Sequence, residues 1–205
     1  SSTTMLASSV SQPEQPIRDG KADRYAQDGA FAFGRLFLID EKGVLASVDL
    51  KLRRSQDIAY DHPLIDLCAP SDGKQLYALA SIGPKRVQLL EWTGSKWQQG
   101  QAFDVPGEVP PNLVASPRMA CDPRPIILVA NHILVLDEKA ERRINLSAPI
   151  EPKFAVPTLL VRDNVLLVGL DAGEWGGGLR KIDLSTGKVD VIERNNSSEL
   201  CSGPL

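Results

Sequence analysis

The chain has 205 residues, 42% hydrophobic and 24% charged, a balance that fits a folded globular protein with a sizeable core and argues against disorder. A formal net charge of −3, with Lys and Arg scattered or in short runs such as Arg142-Arg143, offers no basic stripe and makes nucleic acid an unsuitable partner. The longest apolar stretch, Ile126 to Leu136, is broken by Asn131-His132 and falls short of the roughly 20 residues of a membrane-spanning helix, so no membrane span is expected.

In chain order, residues 1–16 are rich in Ser, Thr, Gln and Pro and read as a disordered linker or a processed N-terminal segment. Residues 17–205 then read as short strands separated by turns. A first repeat, 29–55, has strands at Phe31 to Gly34, Arg35 to Ile39 and Val44 to Asp49, with no evident inner strand. The second, 64–104, is the clearest: Leu64 to Ala69, a turn at Ser71-Asp72-Gly73-Lys74, Gln75 to Ser81, Val87 to Trp92, and Trp97 to Phe103. Asp-Gly between two apolar runs is a strong hairpin signal. The third, 112–147, turns at Asp122 to Pro125 and continues through Ile126 to Ala130, His132 to Leu136 and Glu141 to Leu146. The fourth, 154–194, runs from Thr158 to Arg162, turns at Asp163-Asn164, and continues through Val165 to Leu170, Leu179 to Ile182 and Lys188 to Glu193. Residues 195–205 read as a tail or the start of a further repeat.

One turn appears four times as an apolar residue, an acid and a short polar stretch: Ile39-Asp40-Glu41-Lys42-Gly43, Leu90-Glu91-Trp92-Thr93-Gly94, Leu136-Asp137-Glu138-Lys139-Ala140 and Ile182-Asp183-Leu184-Ser185-Thr186-Gly187. The acids stand 51, 46 and 46 residues apart, a period that belongs to repeat architectures and most naturally to four-stranded β-propeller blades. The fold class predicted is therefore all-β, a β-propeller of four-stranded antiparallel blades with about four blades in this chain. That count suits the N-terminal part of a larger propeller whose end blade is covered by missing C-terminal blades, by a second chain or by self-association. A closed four-bladed ring is the alternative. The segment Ala69-Pro70-Ser71-Asp72-Gly73-Lys74-Gln75-Leu76-Tyr77-Ala78-Leu79 resembles the Pro-Asp-Gly-Lys-x-Leu-Tyr-Val pattern of bacterial surface-layer and lactonase-type propellers.

That resemblance implies ligand sites on the face where the loops between strands two and three, and the links between blades, surround the channel mouth. On that frame Asp61-His62, Asn131-His132 and the Gly-rich stretch Asp171 to Gly178, with Glu174 and Trp175, share one face. His nitrogen and carboxylate oxygen there suit a divalent metal, whose identity the sequence leaves unknown, and the Trp ring suits a sugar or peptide. The ligand-binding candidates are Asp61, His62, Asn131, His132, Asp171, Glu174 and Trp175. A turn-initiating role for His62 and a core role for His132 are the alternatives. The sequence carries neither a G-x-S-x-G elbow nor an H-E-x-x-H motif, so no catalytic residue is assigned. Cys68, Cys121 and Cys201 form no C-x-x-C pair; a Cys68–Cys121 disulfide in an oxidising compartment and buried free thiols are both compatible with their spacing. Trp92 and Trp97 flank a turn and read as a cross-strand pair. The function expected is a noncatalytic module, periplasmic or secreted, that binds a protein or small molecule without a required cofactor. A metal-dependent hydrolase of the lactonase sort and a scaffold closed by a partner chain are the other two readings.

Overall fold

The computed structural model describes residues 25–106, 117–136, 141–150, 156–171 and 177–195. These form sixteen strands in four sheets, each an antiparallel meander of four strands in chain order, arranged as the blades of a β-propeller. Blade one comprises β1 (Ala26–Ala32), β2 (Arg35–Asp40), β3 (Leu45–Asp49) and β4 (Arg54–Ile58). Blade two comprises β5 (Leu64–Cys68), β6 (Leu76–Gly83), β7 (Arg86–Trp92) and β8 (Trp97–Asp104). Blade three has β9 (Arg118–Cys121), β10 (Pro125–Val129), β11 (His132–Leu136) and β12 (Glu141–Asn145), and blade four has β13 (Val156–Arg162), β14 (Val165–Asp171), β15 (Gly177–Asp183) and β16 (Val189–Asn195). The first strands of the blades, β1, β5, β9 and β13, pack in succession and form the innermost layer.

Burial follows from the period of two along each strand, which sends alternate side chains to opposite faces of a blade. In β6, Ala78 and Ala80 enter a core shared with Phe37 and Ile39 of blade one, whereas Leu79 enters a core shared with Ile127 and Val129 of blade three. In β10, Ile126 and Leu128 turn the other way, toward Leu166 and Val168 of blade four. An inner strand is sandwiched on both sides, and β5 is buried at all five positions, four of them apolar and the fifth Asp66.

Blade one differs from the sequence reading in two ways. Its inner strand is present as β1, and its outer strand is β4, a mostly exposed segment with little apolar pattern to mark it. The Ile39 to Gly43 turn joins the second and third strands, while Glu91 and Asp183 lie at the end of the third strand, ahead of the turn to the fourth. The blade-one counterpart of those two acids is Asp49, after β3, so the acids at 49, 91, 137 and 183 stand 42, 46 and 46 residues apart. Asp137 lies outside the described residues.

The cysteine alternative resolves as a disulfide. Cys68 and Cys121 end the inner strands of blades two and three, and their Cα atoms are 5.7 Å apart in the bonded pair. Trp92 and Trp97 are register partners across the β7–β8 turn, with ring centroids 5.1 Å apart in an edge-to-face arrangement.

Candidate functional site

The link between blades one and two is fixed by main-chain bonds at both ends. Leu64 N–H donates to the carbonyl of Gly43 at 2.9 Å, and Ser81 N–H donates to that of Pro63 at 2.9 Å. Gly43 makes this approach possible: its φ is +75°, and a Cβ there would lie 2.7 Å from Pro63 Cβ and 2.8 Å from the backbone of Leu64. Asp61 and His62 are exposed on the link and line an open cleft of about 490 Å³ together with Lys42, Asp57 and Tyr60. The His62 ring lies 6.0 Å from that of Tyr60, which in turn is 6.0 Å from Trp97. The cleft therefore presents an imidazole, two carboxylates and an ammonium beside an aromatic wall.

The other predicted residues are placed differently. Asn131 is exposed in the β10–β11 turn, but His132, the first residue of β11, is only 4% exposed. His132 Nδ1 lies 2.8 Å from Asn131 Oδ1, and because a carbonyl oxygen can only accept, Nδ1 carries the proton. Burial, followed by the charge of Arg143, pushes the imidazole below its usual range and keeps it neutral at pH 7. Asp171 is exposed at the end of β14, opposite Gly177. Glu174 and Trp175 lie outside the described residues. Among the described residues no three His, Cys, Asp or Glu side chains are grouped to hold a metal ion.

A charged cluster across the inner strands went unread in the sequence. Asp28 Oδ2 accepts the N–H of Leu67 at 2.8 Å, and Asp66 Oδ2 accepts that of Met119, so in blades one and two an acid of the inner strand holds the main chain of the next blade. Arg118 closes the group, with Nη2 3.2 Å from Asp66 Oδ1 and 3.9 Å from Asp28 Oδ2. Its Nε and Nη1 are buried without a partner among the described residues. Burial is the main force raising the Asp66 carboxyl well above the usual range, aided by its hydrogen bond to Asp28, while Arg118 opposes the shift. The available signal was a lone acid within the inner strands of blades one and two, most visibly Asp66 between the apolar residues of β5. Asp66 is buried, Asp28 and Arg118 are partly buried, and all three are occupied with holding blades together, which separates them from the exposed groups of the cleft.

No protein-family model matches this chain, and no curated protein sequence matches it. Solved structures share its fold. Hydrazine synthase of Kuenenia stuttgartiensis aligns with a TM-score of 0.56 at 16% identity, over 94% of this chain and 52% of its own. The β-propeller domain of Cps50 (Swd1) from Myceliophteria thermophila aligns with a TM-score of 0.55 at 14% identity, over 85% of this chain and 59% of its own. TolB from Acinetobacter baumannii aligns with a TM-score of 0.56 at 11% identity, over 83% and 44%. The chain thus spans about half the length of the hydrazine synthase chain it matches. At these identities the likeness defines a β-propeller and leaves its chemistry to the site.

Proposed function

We propose that this chain is a noncatalytic binding module that takes a small molecule or a protein segment on the face bearing Asp61, His62, Asn131 and Asp171, with Glu174 and Trp175 as further candidates from the sequence. The observation that carries this reading is the cleft of about 490 Å³ at the first blade link, where exposed Asp61 and His62 stand beside Lys42 and Tyr60. Groups left in solvent next to an aromatic ring retain their hydrogen-bonding capacity for a ligand, and concave sites with a few convergent polar groups are the usual form of such sites. His132 serves the face by holding Asn131, through the 2.8 Å contact described above. We further propose an oxidising location, periplasmic or secreted, which the Cys68–Cys121 bond supports. Among the described residues no helix is long and apolar enough to cross a membrane.

The test is an amide chemical-shift titration with a defined panel of short acidic, basic and aromatic peptides and simple sugars. A saturable perturbation confined to residues around Lys42, Tyr60, Asp61 and His62, and lost in His62→Ala, supports the module. Perturbation only elsewhere, or turnover of an ester or lactone panel with an added divalent metal, overturns it.

A further inference from the structure

The face that blade one turns toward blade two changes character along its length. Ile39 and Leu45 are register partners buried in the core shared with blade two. In the next row on that face β3 carries Ser47, with Phe37 and Gln56 as its register partners on either side. Ser47 stands two residues before the turn acid Asp49, and counting back two from Glu91 and Asp137 gives Leu89 and Val135, which pack in the apolar cores of the next two junctions. A position that is apolar in blades two and three is thus a hydroxyl in blade one, and it is buried.

That exchange accompanies a cleft of about 540 Å³, bounded by Arg35, Ser47 and Gln56 of blade one and by Trp92, Lys96 and Trp97 of blade two. Its size is that of a small-molecule site. It shares Asp57, Ile58 and Ala59 with the Asp61-His62 cleft and is otherwise lined by different residues.

The groups on its walls have donors to spare. Arg35 Nε donates to Ser47 Oγ at 2.6 Å, so the hydroxyl accepts there and keeps its own proton to give. Arg35 Nη1 lies 3.5 Å from Asp49 Oδ2, and Nη2 makes no hydrogen bond among the described residues. Trp97 Nε1 is buried without an acceptor among the described residues, and an indole N–H can only donate. Charge points the same way. Of the charged residues lining the cleft, Arg35 and Lys96 are cations and Asp57 is the anion, while Asp49, beside Arg35, has Arg54 opposite it in register. Lys96 is exposed in the β7–β8 turn, where its main chain is held by Thr93.

We propose that this cleft is a second binding site, for a small molecule that carries one carboxylate on an aromatic body. The planar guanidinium of Arg35 and the Ser47 hydroxyl donate to the carboxylate, Lys96 adds its charge, and the ring packs against Trp92 and Trp97. A dianion fits less well, because Asp49 and Asp57 stand nearby. The site does not depend on the Asp61-His62 cleft being occupied.

A chemical-shift titration of the full chain with phenylacetate and indoleacetate, each beside its neutral amide, tests this. Saturable shifts of the Ser47, Gln56 and Lys96 amides and of the Trp97 indole N–H are expected with the acids, at an affinity about tenfold or more above that of the amides, which lose the charge-assisted bonds. Arg35→Gln and Ser47→Val, the latter restoring the apolar pattern of the other blades, should each weaken binding about tenfold with far-UV circular dichroism unchanged. Lys96→Gln, at an exposed turn position where folding is not at stake, should weaken binding and flatten its dependence on salt, and His62→Ala should bind as the parent does. Acids and amides of equal affinity, shifts confined to other residues, no saturable shift at all, or an unchanged affinity in Lys96→Gln would each overturn the proposal.

Discussion

Asp49 and Asp183 occupy the same post three blades apart: each ends the third strand of its blade, and its Oδ1 accepts two main-chain N–H groups of the turn that follows. For Asp49 these are Lys51 and Leu52, both at 3.0 Å; for Asp183 they are Ser185 at 2.8 Å and Thr186 at 3.1 Å. The bond to the Leu52 N–H lowers the Asp49 pKa, and the Ser185 hydroxyl does most to lower that of Asp183.

The sign of the pH dependence follows. A carboxyl whose pKa is lower in the folded state stabilises the fold above its unfolded value, and that contribution is lost as pH falls through the folded value. Asp183→Asn should therefore lower the melting temperature at pH 6 and progressively less at more acidic pH, until the two proteins converge below the folded pKa. Melting curves across that range check it, and a constant offset would refute it.

Asp66 has the opposite sign. Its folded pKa is raised, so its proton-linked contribution is fully present below the unfolded value and is lost as pH rises through the folded one. Removing the side chain also strands the Met119 N–H and the Arg118 guanidinium in the interior. Asp66→Ala should cost about 3 kcal/mol at neutral pH, the range for a broken buried pair. Urea unfolding monitored by tryptophan fluorescence measures it.

The disulfide closes a loop with a sequence separation of 53 residues. On the chain-entropy account a loop of this length contributes about 4 kcal/mol. The Cys68→Ser, Cys121→Ser double variant should lose about that much, and an oxidised parent should resist urea to a higher midpoint than a reduced one.

Gly43 and Gly34 separate backbone strain from crowding. Both have positive φ, +75° and +69°, but a Cβ at Gly34 meets nothing within 4 Å while one at Gly43 meets the Pro63-Leu64 link. Gly34→Ala should cost about 1 kcal/mol and Gly43→Ala about 2–3 kcal/mol. Only the second should disturb the Asp61 and His62 amide resonances.

Blade two was legible because its punctuation is strong. Gly73 takes the positive φ of +64° that its turn requires, and Asp72 Oδ1 accepts the Lys74 N–H at 3.0 Å. Blade one misled because Asp40 uses the same chemistry, accepting the N–H groups of Lys42 at 2.9 Å and Val44 at 2.8 Å, in the turn between strands two and three. An acid that caps a turn announces the turn and not its rank in the blade. β4 was missed because an outer strand facing solvent needs no alternation, and Arg54 to Asp57 are all exposed. Both histidines follow an Asp or Asn in sequence, yet His62 stands in solvent on the link between blades one and two, whereas His132 begins β11 and is buried. The Asp28, Asp66 and Arg118 cluster joins three blades, a contact that no local pattern encodes.

The covalent tie between β5 and β9 sets one blade junction apart from the others: blades two and three are cross-linked at their innermost strands. Blade one is held to blade two by main-chain bonds and a shared apolar core, with no cross-link of this kind. The Asp61-His62 cleft lies at that second kind of junction, so an occupant seated there would touch both the last strand of blade one and the link that leads into blade two, adding a contact where the fold supplies no covalent one.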